Sequence, residues 1–183
     1  MNPTPRTAPE IMADDWVNTD QDLALADFRG RVVILEAFQM LCPGCVSHGL
    51  PQAKRIQENF DPRAVAVIGL HSVFEHHDAM QPPALKAFLQ EYRITFPVAV
   101  DATRGTRNLP KTMDAYGMQG TPTLVIIDQD GQRRAQHFGH VHDLVLGAQI
   151  GALLGAPSSR SMTPSSSPDT SCDDTGCQHP LTS

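Results

Sequence analysis

The chain has 183 residues, 14 basic and 20 acidic, giving a formal charge of −6 with neutral histidines. The acidic balance argues against a nucleic-acid or anionic-membrane binder, since both need a basic face, and no apolar run approaches the roughly 18 residues of a membrane span. With 40% apolar residues, a domain of roughly 140 residues buries a self-sufficient core without disulfide staples.

Met1 to Asp20 carries one Arg, four acids and three prolines but no apolar signal core, so a cytoplasmic location is expected. Residues 1–15 read as a disordered lead and 16–155 as the folded domain. Residues 156–183 hold eight Ser, four Thr and four Pro with no aromatic residue, the composition of a flexible tail.

Within the domain, Trp16-Val17 and Leu23-Ala24-Leu25 read as short edge strands. The near-continuous apolar run Val32 to Phe38 reads as a central strand covered on both faces. Val46, Leu50, Ala53, Ile56 and Phe60 recur at helical spacing, and Asp61-Pro62 stops that helix. Val65 to Leu70 is a second buried strand. A helix opening at Pro83 carries Leu85, Phe88, Leu89 and Tyr92 on one face. Phe96 to Val100 is another strand, Leu124–Ile127 and Arg133–Phe138 form a hairpin about Asp128–Gly131, and Val141 to Leu154 is a closing helix. This order predicts an α/β fold, a central mixed sheet layered by helices.

The four cysteines fall in two local pairs, Cys42 with Cys45 and Cys172 with Cys177. In a reducing compartment such pairs read as redox or metal chemistry rather than scaffold. Cys42-Pro43-Gly44-Cys45 joins the end of a central strand to the start of a helix. Two intervening residues in a first helical turn bring the sulfurs within bridging reach. They also leave Cys42 at the helix N-terminus, where unpaired N–H groups favour thiolate. Thiolate is the attacking species in disulfide exchange, so Cys42 is the expected nucleophile and Cys45 the resolving thiol. The competing reading, a structural zinc knuckle, lacks a second Cys-x-x-Cys in the domain.

These stretches resemble the thioredoxin superfamily, and within it the TlpA-like redoxin branch related to alkyl hydroperoxide reductase and thiol-specific antioxidant proteins. The resemblance rests on Leu25–Leu35, Cys42–Cys45, Ile94–Val98, Tyr116–Leu124 and Ile127–Gly131, in order across 16–155. It implies a thioredoxin-like fold and a thiol–disulfide oxidoreductase without cofactor or metal, acting on protein or small-molecule disulfides and served by a cellular thiol reductant such as a thioredoxin or glutathione system. The chain is expected to be a monomer. Pro122 is similar to the family's cis-proline facing the dithiol, the alternative being a trans proline opening an edge strand. Thr121 would pair with substrate backbone, beside Pro43 and Gly44. Glu36, six residues before Cys42, stands where thioredoxins bury an acid that takes the proton of the resolving thiol; the alternative is a carboxylate reaching solvent at the sheet end.

The chain also departs from the family. Leu41 replaces the usual Trp, Pro43-Gly44 reverses the usual order, and Pro51 lies six rather than five residues beyond Cys45. A peroxiredoxin-like peroxidase is a competing function, although Gln39 occupies the position of its characteristic Thr. A metal-binding redox sensor is another, using the tail cysteines and histidines. His71, His76, His77 and His140 are expected at the dithiol edge of the sheet, as solvated imidazoles or as neighbours of Cys42. Cys172 and Cys177, with His179, are a candidate second redox pair, a candidate ligand set or an inert tail.

Overall fold

The computed structural model describes residues 6–103 and 109–156. Val32 to Phe38 form a strand in which all seven residues are buried. Alternation sends Val32, Ile34 and Phe38 into one core and Val33, Leu35 and Ala37 into the other, which is why the run carries no polar rhythm. This strand, β3, is the middle of a seven-stranded mixed sheet.

In chain order the strands are β1 (Arg6–Thr7), β2 (Ala13–Val17), β3 (Val32–Phe38), β4 (Val65–His71), β5 (Val98–Asp101), β6 (Thr123–Ile127) and β7 (Gln132–Phe138). Their spatial order is β1-β7-β6-β3-β4-β5-β2. β3 runs parallel to β4 and antiparallel to β6, and β4 runs parallel to β5. The helices are α1 (Leu50–Asn59), α2 (Pro82–Glu91), α3 (Lys111–Ala115) and α4 (Asp143–Leu154). Leu50, Ala53 and Ile56 of α1, Leu85 and Leu89 of α2, and Leu146 and Ile150 of α4 share one core with the β3 face that carries Phe38. Leu25, Phe28, Met113, Tyr116 and Met118 cover the opposite face. Among the described residues, no helix is long and apolar enough to cross a membrane.

The structure corrects three expectations. Residues 6–15 are not a disordered lead. Arg6 and Thr7 pair with Arg133 and Gln132, Ala8 and Ile11 are buried, and the Pro9 carbonyl accepts the Tyr116 hydroxyl at 2.8 Å. Backbone pairing and two apolar anchors hold a segment whose composition promised little burial. Leu23-Ala24-Leu25 is not an edge strand: a tight turn, Leu25–Phe28, buries two side chains three residues apart, and Asp27 accepts the Ala24 N–H at 2.8 Å. β5 begins at Val98 rather than Phe96, because the Asn18 side chain takes the Ile94 and Phe96 carbonyls at 2.8 and 3.0 Å. The short α3 had no periodic signature in the sequence.

The segment leading to Pro122 is anchored at α3. Asp101, buried at the end of β5, accepts the N–H groups of Thr112 and Met113 at 2.8 and 3.0 Å and the Ser72 hydroxyl at 2.8 Å. Asp101→Ala strips the first turn of α3 of its acceptor and leaves three donors buried, so unfolding in urea should show a loss of about 2–4 kcal/mol, with Asp101→Asn between it and the parent.

Candidate functional site

β3 ends at Phe38, and Gln39 to Leu41 turn the chain into the helix that carries the two thiols. Gln39 is buried, its carbonyl accepts the Cys42 N–H at 3.3 Å, and its side-chain oxygen accepts the Phe74 N–H at 3.4 Å. The helical path begins at Pro43 and opens over Cys45–Gly49 into one wide turn, in which the Leu50 N–H donates to the Cys45 carbonyl five residues back. Such a turn accommodates one additional residue in a helix. It accounts for Pro51 lying six rather than five residues beyond Cys45, and it leaves α1 regular from Leu50 onward.

The two thiols sit in different surroundings. Cys42 is half-buried and Cys45 fully buried. The Cys45 N–H donates to Cys42 Sγ at 3.2 Å, and Cys42 Sγ lies 3.4 Å from the Thr121 carbonyl oxygen. Burial, together with the hydrogen bond to Cys42, pushes the Cys45 thiol well above the ordinary thiol range. The Thr121–Pro122 peptide bond is cis, and the Pro122 ring packs over the dithiol turn. A side chain at Gly44 would stand 3.2 Å from Pro122 Cδ.

Glu36 points into the core that holds the dithiol helix. It is 1% exposed, and its Oε1 has no hydrogen-bond partner. Burial raises its pKa from 4.5 to about 8, which excludes the solvated alternative. The residue above it is Gly49, one helical turn beyond Cys45. A Cβ there would overlap Glu36 Oε1 and come within 2.9 Å of Pro122 Cβ. Glu36, Gly49 and Pro122 therefore form one tight junction beneath the dithiol helix. Gly49 escaped the sequence reading; a glycine inside an otherwise apolar helical stripe was the available signal.

The histidines divide. His71 ends β4 buried against the Phe38 ring, centroids 5.3 Å apart. Its Nε2 has no partner, and burial lowers its pKa to about 4. His140 meets the dithiol helix at His48, ring centroids 5.0 Å apart, and meets His142 at 5.6 Å. His76 and His77 belong to the turn before α2. Among the described residues, no group of three His, Cys, Asp or Glu side chains is placed to hold a metal ion. Cys172, Cys177 and His179 lie outside the described residues. Two large apolar side chains stand exposed beside the dithiol, Leu41 next to Cys42 and Phe138 against Gly120 of the Pro122 loop.

Residues 5–135 match the AhpC/TSA family. A solved thioredoxin-like superfamily protein is 56% identical, with a TM-score of 0.81 over 83% of this chain and 98% of that one. A thiol-disulfide isomerase from Corynebacterium glutamicum is 50% identical, with a TM-score of 0.79 over 82% of this chain and 98% of that one. The thiol-disulfide oxidoreductase ResA of Bacillus thuringiensis (strain Al Hakam) is 28% identical over 69% of this chain and 68% of its own length. The chain spans only 14% and 18% of two much longer curated relatives, from Arabidopsis thaliana and Gallus gallus.

The buried Glu36 links stability to pH. Its folded pKa lies above its ordinary value, so the folded state binds the extra proton and stability falls as pH rises from about 4.5 to about 8. Glu36→Gln, which has no proton to lose, should give a flatter stability curve over that window by chemical unfolding at several pH values. Parallel curves for parent and variant would mean that Glu36 is ionised in the fold.

Proposed function

This chain belongs to the AhpC/TSA family, and from that membership and the geometry of its dithiol we propose that it is a thiol–disulfide oxidoreductase in which Cys42 attacks and Cys45 resolves. The observation that carries this reading is the inequality of the thiols. Cys42 is only half-buried, and its Sγ receives a backbone N–H, a donor that stabilises negative charge on sulfur. Cys45 is sealed in the core.

The Cys42 thiolate attacks one sulfur of a substrate disulfide, forming a mixed disulfide and releasing the other substrate sulfur as a thiolate. Cys45 then loses its proton and attacks Cys42 Sγ. The substrate's second sulfur leaves, and the Cys42–Cys45 disulfide remains. Two electrons pass from the dithiol to the substrate, and an external thiol reductant returns them.

In its ionised form, Glu36 is the acceptor for the Cys45 proton. Its raised pKa brings a carboxyl group into a range where it exchanges protons near neutral pH, and it sits under Gly49, the residue one helical turn beyond Cys45. Pro122 and the Thr121 backbone border the reacting sulfur, where a substrate strand would lie. Pro43 and Gly44 form the exposed and half-buried rim of the same turn. The peroxidase reading finds less support, since Gln39 in place of the Thr is buried and turned to the Phe74 N–H rather than towards Cys42.

Cys42→Ser should abolish reduction of a small disulfide such as oxidised glutathione or of insulin, with a loss of at least about a hundred-fold in rate. Cys45→Ser should accumulate a mixed disulfide on Cys42, visible by mass spectrometry of the intact chain. A Cys42→Ser chain that retains turnover would overturn the assignment.

A further inference from the structure

Among the described residues, one edge of the sheet is largely uncovered. β1 pairs only with Gln132 and Arg133 of β7, so among the described residues the outer edge of β7 from Arg134 to Phe138 carries no strand. A groove of about 540 Å³ follows that edge. The consecutive residues Arg133 to Gln136 all line it, and consecutive residues face opposite sides of a strand, so the strand edge itself bounds the groove. Its near end is Phe138, more than half exposed and packed against Gly120 of the Pro122 loop. Its far end is Arg133, paired across the strands with Arg6.

Among the described residues, three arginines and no acid line this groove, in a chain of net charge −6. Arg134 is partly neutralised by Asp128 at 3.2 Å. Arg133 is held by the neutral Tyr116 carbonyl and Gln136 side chain, at 3.1 and 3.0 Å, and it faces Arg6 directly. Two like charges directly opposite on neighbouring strands are unfavourable without an anion between them.

We propose that this groove docks an acidic, extended segment of the polypeptide whose disulfide Cys42 attacks. The segment adds to the edge of β7 by main-chain pairing, passes over Phe138, and places its carboxylates against Arg133 and Arg6. This deepens the oxidoreductase reading and rests on it: the chemistry stays at Cys42 and Cys45, and the groove selects the disulfide by the chain that flanks it. Five strand residues, Arg134 to Phe138, set a segment of about five residues at roughly 3.3 Å each.

The test uses the full chain and three synthetic peptides with the same internal disulfide, extended by four Glu, four Gln or four Lys. At low ionic strength kcat/KM should favour the Glu peptide over the Gln peptide by about five-fold or more, with the difference in KM, and the preference should shrink with added salt. Arg6→Gln should bring the ratio close to one, and Arg6→Glu should turn it towards the Lys peptide. Arg6 lies at an exposed strand end; Arg133→Gln, checked for folding by circular dichroism, is the second variant and should act in the same direction. Equal kcat/KM for the Glu and Gln peptides, or a preference that survives both arginine substitutions, would overturn the proposal. A preference seen only after residues 2–5 are removed would overturn it in favour of the chain's own N-terminus as the occupant. Reduction of none of the peptides would instead count against the oxidoreductase reading itself.

Discussion

The helical turn that follows the two cysteines lies directly on the Glu36 carboxyl group and the Pro122 ring, and it does so because Gly44 and Gly49 lack side chains. That close approach fixes three things together. It seals Glu36 away from water, so burial alone raises its pKa to about 8. It holds Cys45 inside the core while Cys42 stays at the rim. It also brings the Thr121 carbonyl within 3.4 Å of Cys42 Sγ. A methyl group at Gly49 would force the helix off β3 and disturb all three.

The surrounding fold serves this junction. β3 delivers Glu36 from below and runs into the dithiol turn, and β6, antiparallel beside it, begins at Thr123 just after Pro122. The wide turn over Cys45–Gly49 absorbs one extra residue locally, so the thiols keep their place against the sheet while α1 keeps its apolar stripe on the core. The exposed rim beside Cys42 is built differently, from Leu41, Phe138 and the Pro122 loop, with the groove along β7 leading away from it.

Much of this was legible in the sequence wherever one strong local signal decided the structure. The apolar run of β3 and the Cys-Pro-Gly-Cys turn are of that kind, as is the burial of Glu36 inside that strand. Less legible were features decided by distant partners. Residues 6–15 look like a loose lead until Gln132, Arg133 and Tyr116 supply their hydrogen bonds, and the start of β5 is displaced by Asn18, which no periodicity reveals. The departure at Pro51 was visible as spacing, but its physical form, a wide turn rather than a displaced kink, depends on the packing around Gly49. Of the histidines expected at the dithiol edge, His140 reaches the dithiol helix because His48 projects towards it, whereas His71 turns into the core against Phe38.

The account stands on the inequality of Cys42 and Cys45, and site-resolved alkylation measures that most directly. The fully reduced chain is treated briefly with iodoacetamide, and the initial rate at each cysteine is read by peptide mass spectrometry, which also separates Cys172 and Cys177. Modification of Cys42 at least about ten-fold faster than Cys45 at neutral pH is the predicted result. Equal rates, or faster reaction at Cys45, would contradict the placement of one thiol at the rim and the other in the core.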